Sequence, residues 1–392
     1  MKNGWKQETL GEIGKVSMCK RILKKQTNNI SGIPFYKIGT FGKEANAFIS
    51  EEIYNEFKEK YSFPKKGDIL LSASGTIGRR VIYDGEPAYF QDSNIVWIDN
   101  DEKKVLNEYL YKFYGFCDWN PSRGATISRL YNDDLRRIKV AFPIRLDEQK
   151  QIVETLDKAF EAIDKAKENI EKNIQNSKEL FQSKLNEIFS QKGEGWEEKT
   201  LKEVCSIITD GTHQTPKYFD SGYTFLSSKN VTSGVIDWDN IKYIDKEQHI
   251  QMQKRVSPQL NDVLLAKNGT TGVAAIVDRE VDFDIYVSLA LLRATEKLKP
   301  RYLLHFVNSS TAKAQFNKRL KGVGVPNLHL KEIREVIINY PIDKNEQKKI
   351  VEYIDDLTYI RNGLVDNYQQ KLKNIEELKK SILQKAFSGE LI

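Results

Sequence analysis

The chain has 392 residues, of which 40% are hydrophobic and 30% charged, and its formal net charge is +6. This length fits two domains of roughly 100–200 residues each, and the composition excludes a disordered chain. No apolar run approaches the roughly 18 residues of a membrane helix, and residues 1–10 lack the apolar core of a secretory signal, so no membrane association is expected. The three cysteines are scattered and odd in number, which indicates reduced thiols and a cytoplasmic location.

The hydrophobic pattern divides the chain into four segments. Residues 1–146 and 191–344 contain short β-rich stretches punctuated by Gly, Asn, Asp and Pro, together with a few helical pieces, which predicts two mixed α+β domains. Residues 147–190 and 345–392 carry apolar residues at three-and-four spacing and, Gly363 and Gly389 apart, lack Gly and Pro, which predicts two long helices. The predicted strands include 69–71, 81–83, 95–98, 263–265 and 274–277, and the predicted helical pieces include 51–61 and 302–319.

The chain is also a tandem repeat. Four sets of motifs recur in the same order about 191 to 198 positions later: Gly4-Trp5 with Thr9-Leu10 as Gly195-Trp196 with Thr200-Leu201, Gly67-Asp68-Ile69-Leu70 as Asn261-Asp262-Val263-Leu264, Glu148-Gln149 as Glu346-Gln347, and Phe189-Ser190 as Phe387-Ser388. Four matches in register indicate a duplication.

The two long apolar stripes must be buried, and the duplicated helix is an obvious partner for each. We therefore expect an antiparallel coiled coil with pseudo-twofold, circular symmetry and one globular domain at each end. The alternative is that each helix packs onto its own domain. The stripes favour the coiled coil because they extend further than a domain face requires.

The positive charge lies mainly in the two globular segments. Residues 1–146 carry a net charge of +6 and residues 191–344 carry +3, whereas 147–190 carry −3 and 345–388 carry +1. A basic module joined to a near-neutral spacer is typical of polyanion binding.

No catalytic or metal site emerges from the sequence. A Gly-x4-Gly-Lys-Ser/Thr phosphate loop is absent, and the four histidines are far apart, without zinc spacing to a cysteine. Asn120-Pro121-Ser122-Arg123 resembles an adenine methyltransferase motif only superficially, since it lacks the second Pro and the stacking aromatic residue. We expect neither a catalytic residue nor a cofactor in this chain.

Glycine-rich loops suited to nucleic acid follow one strand in each half. Ser74, Gly75, Thr76 and Gly78 follow 69–71, and Asn268 with 269–272 follows 263–265. Glycines and small hydroxyl residues allow close approach to a phosphate, and Arg, Lys or Asn can reach base edges. The alternative is a hairpin turn without a ligand, but the recurrence of the loop favours a DNA-facing role.

Taken together, these motifs resemble the specificity subunit of type I restriction-modification systems, over essentially the whole chain. The resemblance rests on the repeated motifs above, on the closing segment from Lys380 to Leu391, and on Asp210-Gly211-Thr212-His213-Gln214-Thr215-Pro216, which is similar to a motif at the start of the family's target-recognition domains. The first half has Cys19-Lys20-Arg21 in the comparable region, so the two halves should read different bases.

The resemblance implies a non-catalytic subunit with two target-recognition domains, each reading one half of a bipartite site in double-stranded DNA. It implies two modification subunits that methylate adenine with S-adenosylmethionine, and systems of this family can add two restriction subunits that use ATP and Mg²⁺. The helices would set the spacer between half-sites and dock the modification subunits. Two alternatives stay open: a stand-alone nuclease or methyltransferase, and a coiled-coil scaffold whose heads bind carbohydrate or protein.

Candidate DNA-contacting residues lie in both halves. In the first half they are Lys20, Arg21, Ser74, Thr76, Arg79, Gln91, Asn94, Arg123, Arg129 and Tyr131. In the second half they are Thr212, His213, Thr215, Lys229, Asn230, Lys267, Asn268, Thr270, Thr271, Lys318, Arg319 and Asn327.

Overall fold

The structure is a computed structural model that describes residues 2–119, 122–123, 128–268, 270–319 and 327–391, with only the backbone described for 122, 123 and 128. The chain forms two units: unit 1 comprises Met1–Ile170 and Gln370–Ile392, and unit 2 comprises Glu171–Gln369. Both units mix helices with sheets, which confirms the predicted fold class.

Unit 1 contains the following elements in chain order: β1 (Trp5–Thr9), α1 (Leu10–Ile13), β2 (Lys15–Ser17), a 3-10 turn (Lys24–Gln26), β3 (Ile33–Tyr36), β4 (Phe48–Ile49), α2 (Glu51–Lys60), β5 (Ile69–Ser72), β6 (Arg80–Ile82), β7 (Tyr89–Phe90), β8 (Ile95–Asp99), α3 (Asn107–Tyr114), β9 (Ser122–Arg123), β10 (Ser128–Arg129), α4 (Asn132–Arg137), β11 (Lys139–Pro143) and the first part of α5 (Leu146–Phe189).

Unit 2 contains the end of α5 and then β12 (Trp196–Thr200), α6 (Leu201–Val204), β13 (Cys205–Asp210), β14 (Tyr223–Leu226), a 3-10 turn (Ser228–Val231), β15 (Lys242–Ile244), α7 (Lys246–Gln253), β16 (Val263–Ala266), β17 (Ala274–Ile276), β18 (Phe283–Ile285), β19 (Leu289–Ala294), α8 (Pro300–Asn308), α9 (Ser310–Arg319), α10 (Leu330–Arg334), β20 (Ile337–Pro341) and the first part of α11 (Lys344–Ser388), whose end returns to unit 1.

The sheets of the two units have the same strand order. Unit 1 has a four-stranded antiparallel sheet β2-β8-β5-β6, a three-stranded sheet β4-β3-β7 with β3 and β7 parallel, and the pair β1-β11. In unit 2 the corresponding sheets are β13-β19-β16-β17, β15-β14-β18 and β12-β20. The duplication inferred from sequence is therefore a duplication of topology.

The central strands of each four-stranded sheet are buried on both faces. In unit 1, Leu71 packs in one hydrophobic cluster and Leu70 in another. In unit 2, Leu265 and Leu264 likewise pack in two different clusters. Successive side chains of a strand point to opposite faces, so a strand covered on both sides needs a continuous apolar run. This is why the predicted strands contain unbroken runs of Ile, Val and Leu.

The repeated motifs have local structural roles. Thr9 and Glu12 form a capping box at the start of α1, with the Thr9 backbone N–H donating to Glu12 Oε2 at 2.7 Å. Thr200 and Glu203 form the same box for α6, at 2.8 Å. Gly67 and Asn261 both adopt positive φ (92° and 72°), a conformation that Gly and Asn tolerate.

The long helices pair antiparallel in unit 1 and contact each other in unit 2. In unit 1, Lys167 contacts Glu376 at 3.3 Å and Asp164 contacts Lys379 at 3.6 Å. Residue numbers therefore increase along α5 in the direction in which they decrease along α11. In unit 2 the Arg361 guanidinium lies 4.3 Å from the ring centre of Phe181.

The end of each long helix completes the core of the unit that contains the other repeat. Phe387 packs against Tyr109 and Phe113 of α3, with ring centres 5.3 and 5.4 Å apart. Phe189 packs against Tyr302 and Phe306 of α8 at 5.3 and 5.5 Å. The alternative that each helix packs only onto its own domain is therefore wrong, because α5 starts in the core of unit 1 and ends in the core of unit 2.

The helical piece predicted over 302–319 is confirmed as helical, but it is not one continuous helix. The segment forms α8 and α9, separated by Ser309, whose backbone is extended (φ −71°, ψ 157°). The Ser309 hydroxyl donates to Phe306 O at 2.6 Å and accepts from the Ala312 backbone N–H at 3.2 Å. A serine at this position ends one helix and caps the next.

Candidate nucleic-acid interface

The glycine-rich loop after β5 is held by a second segment that is distant in sequence. The Leu130 backbone N–H donates to Ala73 O at 2.9 Å, and Ser74 forms an antiparallel β-bridge with Arg129. In unit 2 the Leu328 N–H donates to Lys267 O, also at 2.9 Å, and Asn268 forms the bridge with Asn327. Candidate residues from two parts of each repeat are thereby brought together.

A third segment, the turn that precedes β8 or β19, joins each cluster. The Ala73 N–H donates to Asn94 O at 2.8 Å, and the Lys267 N–H donates to Ser288 O at 3.0 Å. In unit 1 the Ser74 hydroxyl also donates to Asn94 Oδ1 at 2.8 Å, and Arg129 Nη2 donates to Ser93 O at 3.2 Å. Both units therefore present the same three-segment backbone arrangement.

One glycine of this loop is required by close packing. Gly78 has φ +78°, and a Cβ there would lie 2.1 Å from the Trp119 indole nitrogen. Its counterpart Gly272 also has positive φ (+84°). The loop therefore needs glycine for its shape, independently of any ligand.

In unit 1 the turn at residues 91–94 borders a polar pocket of about 280 Å³. Arg21 donates from Nε to Asp92 Oδ2 at 3.0 Å, and Gln91 accepts the Ile38 backbone N–H at 3.0 Å. Three of the residues around the pocket were predicted from the sequence: Arg21, Gln91 and Asn94. Three others were missed: Lys24, Lys37 and Asp92. Cations and amides around a concave polar surface suit phosphates and base edges.

In unit 2 the cluster is built on Asp210, at the end of β13. Its carboxylate is buried and accepts hydrogen bonds from Lys267 Nζ at 2.6 Å and from Arg255, and His213 Nε2 lies 3.3 Å away. Burial raises the pKa of the Asp210 carboxyl, but the hydrogen bonds from Lys267 and Arg255 outweigh burial, so the pKa is lowered overall. Asp210 therefore carries its negative charge at neutral pH.

Three predicted contact residues have other roles in the structure. Lys267 is 5% exposed and its ammonium is bound to Asp210, so it supports the cluster from inside. Asn230 is 6% exposed and donates to Asp237 O and Asn240 O, which fixes a local turn. The Arg79 guanidinium donates to Phe41 O at 2.9 Å within unit 1. Charge pattern alone could not separate these side chains from surface ones.

The remaining candidates lie on or near the surface. Arg319 is half-buried and donates to Gln315 O at 3.0 Å, and Thr212 and Thr271 are also partly exposed. The side chain of Arg123 lies outside the described residues, although its backbone forms part of β9. The exposed candidates are Lys20, Thr76, Tyr131, His213, Thr215, Lys229, Thr270 and Lys318.

Arg255 and Tyr286 were missed by the sequence prediction. Arg255 follows α7 and reaches Asp210, 45 positions earlier, and the Tyr286 hydroxyl lies 3.5 Å from Thr215 Oγ1. Neither residue belongs to a repeated motif, so the sequence offered no signal for them.

In the described part of the chain, no group of three or more His, Cys, Asp or Glu side chains is arranged to hold a metal ion. None of the helices described combines the length and apolarity that crossing a membrane requires. The three cysteines are free, and burial raises the pKa of the Cys19 and Cys205 thiols to about 12.

The chain matches the family model "Type I restriction modification DNA specificity domain" twice, over residues 2–176 and 193–374. It is 64% identical over 149 residues to a protein of Haemophilus influenzae described as a type I restriction enzyme specificity subunit, covering 38% of each chain. It is 25% identical over 289 residues to the type I restriction enzyme EcoKI specificity subunit of Escherichia coli, covering 69% of this chain and 61% of that protein. The matches thus span less than two thirds of these relatives' length.

Two solved structures share the fold. A chain from a study of complex assembly and conformational transition of the type I R-M system aligns with a TM-score of 0.78 at 19% identity, covering 100% of this chain and 99% of that one. The HsdS subunit of Thermoanaerobacter tengcongensis aligns with a TM-score of 0.61 at 18% identity, covering 100% and 98%. Since the family model covers most of both repeats, the chain belongs to the type I restriction-modification specificity subunit family.

Proposed function

We propose that the chain reads a bipartite DNA sequence, with one half-site contacted by each unit. The observation that carries this proposal is the recurrence of the three-segment cluster. Its backbone is the same in both units, through Ala73, Asn94 and Leu130 in one and through Lys267, Ser288 and Leu328 in the other.

The side chains on and beside this common backbone differ between the units. Unit 1 carries Arg21, Gln91 and Asn94 around its pocket, whereas unit 2 carries His213 and Arg255 around Asp210. Donors and acceptors arranged differently fit different base edges. This difference supports the proposal that the two units read distinct half-sites.

In this proposal the chain directs chemistry performed by other subunits. Two modification subunits bind S-adenosylmethionine and methylate adenine, and restriction subunits, in systems that have them, use ATP and Mg²⁺. Support comes from the family itself and from a structural relative whose study concerns complex assembly of the type I R-M system.

The long helices would dock the modification subunits and set the spacer between half-sites. The part of α11 in unit 2 exposes large apolar side chains, with Tyr359 82%, Ile360 56% and Leu364 44% exposed. Apolar side chains on the solvent side of a helix are typical of a surface that another protein covers. The DNA-binding heads and the docking surface would then belong to different elements of the fold.

Exchange of one reading domain tests the proposal. Residues 194–343 are replaced by the equivalent domain of a relative, and the methylated sequence is mapped for the complex with its modification subunits. One half-site should change while the other is retained, and exchange of residues 1–146 should give the reciprocal result. A change in both half-sites from either exchange would refute independent reading. A protein whose DNA binding is absent or insensitive to salt would support the scaffold alternative.

A further inference from the structure

Arg255 lies just after α7, and Asp210 holds its guanidinium in one orientation. Arg255 Nε donates to the Asp210 backbone O at 3.0 Å, and Nη2 donates to Asp210 Oδ1. The side chain is 45% exposed, so its far edge reaches the surface. Within the described residues, the hydrogen bonds of this guanidinium involve Nε and Nη2, and Nη2 faces both Asp210 and His213, which leaves Nη1 available.

The cluster around Asp210 carries a net positive charge. The Asp210 side chain is 4% exposed, and Lys267, whose side chain is 6% exposed, already neutralises it at 2.6 Å. Arg255 is therefore a second cation on one carboxylate, and the three groups together carry a net charge of +1. The His213 imidazole adds a further polar group, with Nε2 3.4 Å from Arg255 Nη2, and is 63% exposed.

A guanidinium fixed in this way is suited to directional recognition. Its exposed edge offers the N–H donors of Nη1, and guanine presents two acceptors, O6 and N7, in the major groove. Because Asp210 already orders the side chain, less conformational entropy is lost on binding. A fixed guanidinium can also bind a phosphate bidentately, and the salt dependence of the Arg255 variants separates a phosphate contact from a base contact.

We propose that Arg255 is a specificity-determining residue that donates to a guanine in the half-site read by unit 2, and that Asp210 is its positioning residue. This inference rests on the proposed function and adds to it a named base.

The test compares base preferences of the full chain in complex with its modification subunits. Duplexes with randomised half-sites are selected by the unmodified chain, by Arg255→Lys and by Arg255→Gln. Arg255→Lys keeps the charge and leaves the Asp210–Lys267 pair intact, so folding is preserved. It should reduce the preference for guanine at one position about 10- to 100-fold and leave the other positions and the first half-site unchanged.

Arg279→Lys is the matched control. Its guanidinium lies 5.4 Å from the Trp238 ring centre in the loop that follows β17. That loop is at the opposite end of the sheet from Lys267, because the Asn261 N–H, just before β16, donates to Val277 O at 2.9 Å. This variant should keep every base preference.

Asp210→Asn provides a positioning readout. The same single position should lose guanine preference, although Arg255 remains, and the slope of log affinity against log salt should not become shallower, because no cation is removed. A defect of folding would instead lower affinity for all sequences and would leave Arg255→Lys as the decisive variant.

Two results would overturn the inference. One is an unchanged preference in Arg255→Lys. The other is an equal loss for all sequences in Arg255→Gln with a salt slope reduced by about one, which would assign Arg255 to a phosphate. A wild-type complex without sequence preference would refute the proposed function itself, and this outcome is visible before any substitution is compared.

Discussion

The buried amide of Gln149 connects the first turn of α5 to unit 1, and its removal should destabilise that unit. The side chain is 0% exposed. Its Nε2 donates to Lys104 O and to Pro143 O, both at 2.8 Å, and its Oε1 accepts the Leu106 N–H at 2.9 Å. Gln347 makes the equivalent three hydrogen bonds in unit 2, which explains why the Glu-Gln motif recurs.

Gln149→Ala leaves one N–H and two carbonyl groups without this partner in a buried site. An unsatisfied buried group costs about 1–3 kcal/mol, and carbonyls that keep other partners cost less, so the expected loss is about 2–4 kcal/mol. For a unit of about 190 residues, each kcal/mol lowers the unfolding midpoint by about 2–4 °C. The midpoint of unit 1 should therefore fall by about 5–15 °C.

Differential scanning calorimetry measures this change, and Gln151→Ala is the control. Gln151 lies two residues further along the same helix and is exposed, so its substitution should shift the midpoint by no more than about 1–2 °C. Equal midpoints for the two variants would refute the reasoning, because the three hydrogen bonds would then contribute no measurable stability.

Three other predictions concern DNA contacts, pH and spacing. Lys318→Ala should weaken binding to all sequences and reduce the salt slope by about one, whereas Thr212→Ala or Asn268→Ala should cost about 1–3 kcal/mol at particular base positions; titrations at several salt concentrations distinguish the two patterns. Burial lowers the pKa of His305, beside Asp355, below its ordinary 6.5, so the unfolded state takes up a proton at a higher pH than the folded state. The thermal midpoint of unit 2 should therefore fall as the pH decreases below 6.5, and His305→Asn should flatten this dependence. Seven residues added to α5 and α11 at matched positions lengthen each by roughly 10 Å and should increase the preferred spacer by about three base pairs in a selection with variable spacers; an unchanged spacer would leave the helices only a docking role.

The sequence by itself determined the duplication, the fold class and the two long helices. These features depend on local signals: Thr9 and Glu12 cap a helix three residues apart, and apolar residues repeat along α5 within one turn of each other. The unbroken run at Ile69–Ser72 likewise reports burial on both faces of a strand. Such signals survive without knowledge of the tertiary structure because the interacting residues are close in sequence.

Only the tertiary structure decided which polar side chains form the candidate interface. The sequence predicts that Lys267 is a DNA contact at the surface. Lys267 is buried instead, because the Asp210 carboxylate, 57 positions earlier, compensates its charge. Arg255 belongs to no motif and gains its place only through the same carboxylate. The cores also depend on long-range packing, since Phe189 and Phe387 each complete a unit whose other residues come from the other repeat. A charged group is buried only where a distant partner offsets the cost of desolvation, and no local pattern records that partner.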